Sequence, residues 1–121
     1  MAQLDFRAAE ADWKADPPLL EDIAFHCQQA AEKSFKAFLA WNDVAFGKTH
    51  DLGKLGTLAA GLDSSLAPVA RGAAPLTAYA VLTRYPSEEI PITSQAAKEA
   101  GDLARKVFSS ILERLPQDVR P

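Results

Sequence analysis

The sequence predicts an all-α protein, an up-and-down antiparallel bundle of about five helices. Three observations carry that prediction. Apolar residues recur at three- and four-residue spacing through residues 20–41 and again through residues 97–115. β-Branched residues never alternate with polar ones over a strand-length window, so the signal for a sheet is missing. Prolines and glycines gather between the periodic stretches, at Pro17-Pro18, Gly47, Pro68 to Pro75 and Pro86 to Pro91, where a chain of helices needs its turns.

Residues 3–15 read as the first helix, with Phe6, Ala9 and Trp13 on one side. Asp16-Pro17-Pro18 supplies a stop and a new start. Asp16 can cap the second helix, and Pro17 fits a first turn, where an amide donor has no helical partner. Glu21 and Asp22 then favour the positive end of the helix dipole. The second helix runs to about Trp41 and is the longest. Asn42 to Lys48 reads as a loop in which Gly47 permits an unusual backbone angle. Thr49 is the expected cap of a third helix starting near His50, with Leu52, Leu55, Leu58, Ala59 and Leu62 on its buried face. Gly53, Gly56 and Gly61 weaken that helix, each by up to about 1 kcal/mol relative to alanine.

Asp63 to Pro75 reads as a loop or a poorly formed helix. Leu76 to about Thr83 is the expected fourth helix, and Tyr85 to Pro91 a connection stiffened by its prolines. Thr93 or Ser94 caps a fifth helix to about Leu115, with Ala97, Ala100, Ala104, Val107, Phe108, Ile111 and Leu115 on its apolar side. Pro116 ends it.

The 121 residues are expected to form one domain, with a helical core from about 3 to 115, large enough to bury a core without disulfides or metal. A net charge of -3 argues against a general polyanion binder, although a local basic patch remains compatible with it. The single cysteine, Cys27, falls among apolar neighbours, so no disulfide framework exists and a reducing, cytoplasmic compartment fits. The first residues do not read as a signal peptide, and no apolar run approaches the roughly 18 residues of a membrane span. His26 and His50 are too few for a four-ligand zinc cluster, so no metal and no cofactor is expected.

The most informative stretch is His26 to Leu39. At roughly 100° per residue, His26, Gln29, Lys33 and Lys36 share a wedge of about 80°, while Ile23, Cys27, Ala31, Ser34, Phe35 and Phe38 lie on the other side. Amides, an imidazole and two amines are a set suited to gripping an anion. The same wedge is also compatible with a solvated face holding a Glu32–Lys36 pair, or with a seam against another helix along Ala30, Ala37 and Ala40.

Four segments in order resemble the HEPN domain (higher eukaryotes and prokaryotes nucleotide-binding). They are Phe25-His26-Cys27-Gln28-Gln29-Ala30-Ala31-Glu32-Lys33-Ser34-Phe35-Lys36-Ala37, Lys48-Thr49-His50-Asp51-Leu52, Tyr79, and Arg84-Tyr85-Pro86. The resemblance spans about residues 5–115. It implies a helical bundle that forms homodimers, pairs with a minimal nucleotidyltransferase in toxin–antitoxin-type systems, and binds nucleotides or acts on RNA. Ribonuclease members of the family carry an arginine followed a few residues later by a histidine. Here Arg84 is followed by Tyr85-Pro86-Ser87-Glu88-Glu89-Ile90-Pro91, without one.

The expectation is therefore a module that is not a ribonuclease and that holds a nucleotide or another phosphorylated ligand. Gln29, Lys33, Lys36, His50, Arg84 and Tyr85 are its candidate site residues. The lysines would take phosphate charge. Gln29 would orient a base or sugar, and Arg84 with Tyr85 would clamp a phosphate and stack a base. Each residue also has a structural reading: a first-turn His50 bonded to backbone, and a helix-ending Arg84 favoured by the dipole. Two alternatives stand beside this expectation. One is a ribonuclease toxin in which Arg84 works with His26 or His50; the other is a pure protein-interaction subunit.

Overall fold

The structure, a computed structural model, describes residues 2–80 and 92–119. Five α-helices appear in order: α1 (Ala2–Lys14), α2 (Leu20–Trp41), α3 (Leu52–Leu62), α4 (Ala67–Ala73) and α5 (Ser94–Leu112). Short 3-10 segments at Ser64–Leu66, Ala74–Tyr79 and Gln117–Val119 join or follow them, and no strand occurs among the described residues. The all-α bundle expected from the sequence is what forms.

α2 is the axis of the bundle. It packs against α1 and α5 along its length and against α3 and the Ala74–Tyr79 segment. Ile23, Phe35 and Leu39 of α2 meet Leu52 and Leu55 of α3 and Val107 and Ile111 of α5, all of them wholly buried. Burying each such side chain contributes about 1.5–3 kcal/mol. At the α1–α5 contact the Phe6 and Phe108 rings meet edge to face at 5.3 Å, with the Arg105 guanidinium 4.5 Å from the Phe6 centroid. Cys27 is buried beside α5, and burial pushes its thiol up to about 11, so it is an inert core residue.

Several boundaries differ from the sequence expectation. Asp16 does not cap α2: the helix starts at Leu20, with Leu19 at the cap position and no side-chain cap. Pro17 precedes a second proline and is thereby disfavoured from helical geometry, so the helix starts beyond both. Thr49 does not cap α3 either. Asp51 does, accepting from the Gly53 and Lys54 amides, while Thr49 Oγ1 accepts from Asp51 N one step earlier. His50 therefore precedes the helix. Asp43 (φ 57°) joins Gly47 (φ 67°) in the left-handed region, so the turn after α2 needs two such residues. The stretch from Asp63 to Pro75 does contain a helix, α4; of the segment expected as a fourth helix, the described part is 3-10 within Ala74–Tyr79, and the part beyond residue 80, like the connection 85–91, lies outside the described residues. Leu62, expected on the buried face of the third helix, is 43% exposed. Thr93 caps α5 as expected, accepting from Ala96 N.

α3 and α4 approach closely because Gly56 faces Ala70. A Cβ built on Gly56 would lie 2.8 Å from Ala70 Cβ, whereas one on Gly61 meets nothing within 4 Å. Gly56→Ala should therefore destabilise the fold by about 1–3 kcal/mol through overpacking. Gly61→Ala should stabilise it by up to about 1 kcal/mol. Urea unfolding monitored by circular dichroism reads both signs.

Candidate functional site

The wedge on α2 is divided between two neighbours. On the α1 side, Lys33 Nζ lies 2.8 Å from Asp5 Oδ2, and His26 Nδ1 lies 3.0 Å from Asp5 Oδ1. The other nitrogen of His26, Nε2, lies 3.6 Å from Asp22 Oδ2. Asp5 is buried because it follows the Ala2-Phe6-Ala9 stripe that α1 turns toward α2. His26 is thus held between two carboxylates, with Nδ1 toward Asp5 and Nε2 toward Asp22.

On the α3 side the organising group is Glu32, only 4% exposed. Its Oε1 accepts from Gln28 Nε2 at 3.1 Å and lies 2.8 Å from His50 Nδ1. Its Oε2 accepts from Lys36 Nζ at 3.1 Å. Gln28 Nε2 also donates to the His50 carbonyl at 3.3 Å, and Gln29 Nε2 donates to Gln28 Oε1 at 2.7 Å. Burial pushes the Glu32 carboxyl up, but the hydrogen bonds from Gln28, His50 and Lys36 outweigh it and hold the group below its ordinary value. An ionised carboxylate only accepts, so His50 Nδ1 carries the proton and its Nε2 is left as the outward atom. The His50 side chain is 67% exposed, so that atom is open to solvent.

The structure therefore brings Lys36 and His50 together on one buried carboxylate, with Gln29 attached through Gln28. Lys33 sits on the other flank with Asp5. Arg84 and Tyr85 lie outside the described residues. The start of α3 offers no free amides for an anion: Leu52 N donates to Thr77 Oγ1, and Gly53 N and Lys54 N donate to Asp51. Gln28 is not among the expected site residues, and Glu32 is expected only as the partner of Lys36 on a solvated face. Their signal was present, since both are polar at the border of the apolar arc, close in angle to Phe35 and Leu39.

A third cluster lies where α1 ends and α2 begins. Asp12, Asp22 and His26 offer ligand atoms within 4.8 Å of one another, and Asp12 Oδ2 is a buried oxygen with no hydrogen-bond partner. Desolvation, together with the neighbouring Asp22, raises the Asp12 carboxyl from 3.8 to about 6, with His26 opposing.

A family model described as the HEPN domain matches residues 1–115. The chain belongs to the HEPN family, which supports a nucleotide-binding or ribonuclease-type module. No curated protein and no solved structure matches it. Among the described residues, no helix is long and apolar enough to cross a membrane.

Glu32, which is buried, and Asp12, which is partly buried, should respond to pH with opposite signs. Glu32 is held below its ordinary 4.5, so its contribution is complete above that pH and fades as pH falls through the lowered value. Glu32→Gln should cost about 1–3 kcal/mol at neutral pH, with the deficit closing in acid. Asp12 is raised, so its ionisation penalises the fold above about pH 6 and not below 3.8. Asp12→Asn should raise Tm at pH 8 and converge with the parent near pH 4, in scans run with a chelator.

Proposed function

We propose that this protein is a non-catalytic module that binds a nucleotide or another phosphorylated ligand at the α2–α3 edge. One observation carries the reading: Glu32 holds His50 by Nδ1 beside Lys36, leaving an exposed imidazole nitrogen next to an amine. A phosphate there meets two groups that are positive or can become so. The Gln29 amide, held by Gln28 at 2.7 Å, would hydrogen-bond a sugar or base edge through its remaining donor and acceptor. Lys36 is the weaker half of the pair, because Glu32 already neutralises part of its charge. Family membership supports the ligand class. Homodimerisation, a minimal nucleotidyltransferase partner and a toxin–antitoxin setting are parts of the same proposal, resting on the resemblance. The resemblance adds Arg84 and Tyr85, which lie outside the described residues, as further candidates for ligand contact.

A second reading draws on the same dyad. A histidine oriented by a buried carboxylate is also the arrangement of a general acid–base, and ribonuclease-type chemistry through His50 follows from it. His26 does not compete for this role, because both of its nitrogens face carboxylates.

Thermal unfolding against a panel of nucleotides and short RNAs tests both readings. Ligand at about 100 times its dissociation constant should stabilise the fold by roughly 2.7 kcal/mol, a shift of several degrees for a domain this size. That shift should be lost in His50→Ala and reduced in Lys36→Ala, with the RNA recovered intact. RNA cleaved by the parent and spared by His50→Ala would favour the ribonuclease reading. No shift with any ligand and no cleavage would reject both and leave an interaction subunit.

A further inference from the structure

The cluster between α1 and α2 has no part in the proposed ligand site. Asp12 comes from the last turns of α1, and Asp22 and His26 from the first turns of α2, one helical turn apart. Their ligand atoms converge within 4.8 Å, and each residue is partly buried. Acidic residues close together are ordinary at a surface. Two further features separate this group from that background.

The first is the histidine. Asp5, 8% exposed at its side chain, takes His26 Nδ1 at 3.0 Å. A carboxylate behind one ring nitrogen holds the ring in place with the other nitrogen, here Nε2, toward Asp22 at 3.6 Å. Lys33 neutralises the other oxygen of Asp5, at 2.8 Å. Asp5 is therefore already balanced and acts as support for the ring.

The second is the orphaned oxygen. Asp12 Oδ2 is shut off from solvent and has no donor among the described residues. A buried carboxylate oxygen without a donor is costly, and such atoms call for a proton or an ion. No lysine or arginine among the described residues pairs with Asp12, and the ion pair of Asp22 is with His26. A divalent cation would match the charge of the two carboxylates and would take the place of any proton on His26 Nε2.

We propose that Asp12, Asp22 and His26 form a binding site for one divalent transition-metal ion of the zinc type, with Asp5 as the positioning residue behind His26. One imidazole nitrogen and two carboxylates are a donor set for a borderline cation. Water fills the remaining positions. The ion would clip the end of α1 to the start of α2, across the turn that carries Pro17 and Pro18. Counting cysteines and histidines argues only against a cluster built from those residues; the acids of this site come from two helices and share no spacing motif.

Isothermal titration of chelator-treated protein with ZnCl2 tests the site, with MgCl2 as the comparison. The expected result is one equivalent of Zn2+ bound, with Mg2+ much weaker and a higher Tm in the zinc-loaded protein. Asp5→Asn should weaken Zn2+ about 10–100-fold, as the loss of a supporting carboxylate does. His26→Ala and Asp22→Asn should weaken it further, and Glu99→Gln should leave it unchanged. Asp12→Asn guards against misfolding as an explanation, because it removes a repulsive charge and should keep the parent circular dichroism spectrum while losing the ion. No stoichiometric binding, or full affinity in both His26→Ala and Asp22→Asn, would overturn the proposal and leave a pair of acids sharing a proton.

Discussion

A carboxylate buried at the centre of α2 must be met by donors or it would not stay charged there. Glu32 is that group, and much of the local architecture follows from meeting it. Gln28 and Lys36 reach it from one turn before and one turn after on the same helix. The third donor cannot come from α2. It comes from His50, which the turn after α2 returns to the helix, and Gln28 fixes that return by also bonding the His50 carbonyl. Asp51 can then cap α3 in the next position. A single buried charge thus sets the register of the connection and the orientation of the exposed imidazole.

The same logic operates with less closure at the other end of α2. Asp5 is satisfied by Lys33 and His26, whereas Asp12 Oδ2 has no hydrogen-bond partner among the described residues. One helix therefore carries a complete polar network next to an incomplete one. The complete network positions an imidazole and an amine toward solvent, which suits a ligand that comes and goes. In the incomplete one a buried carboxylate oxygen lacks a donor where two helices meet, the feature on which the proposed ion site rests. The distinction rests on how many lone pairs find donors, not on how many charged residues are nearby.

The helical class was legible because the apolar period of α2 and α5 is long and uninterrupted, and burial follows it at Ile23, Phe35, Leu39, Ala97, Ala104 and Ile111. Caps were less legible. Thr49 and Asp51 are both good cap residues two positions apart, and the choice depends on where His50 has to be, which is a tertiary matter. The middle of the chain was least legible: glycine and proline between Gly53 and Pro75 mask a helix that forms because Gly56 lets Ala70 approach. At the site, the wedge grouped His26, Gln29, Lys33 and Lys36, and of these Lys36 and, through Gln28, Gln29 share the Glu32 network with His50. It could not show that Lys33 faces away to Asp5, or that Glu32 rather than a lysine is the centre, because an angular projection records direction and not depth.

Nitrogen-15 spectroscopy of the His50 imidazole is the most direct measurement of whether Glu32 orients this ring. At a pH where the ring is neutral, the account predicts the tautomer protonated at Nδ1, with a strongly hydrogen-bonded proton that reverts to the ordinary mixture in Glu32→Gln. A ring protonated mainly at Nε2, or one that does not respond to Glu32→Gln, would contradict it.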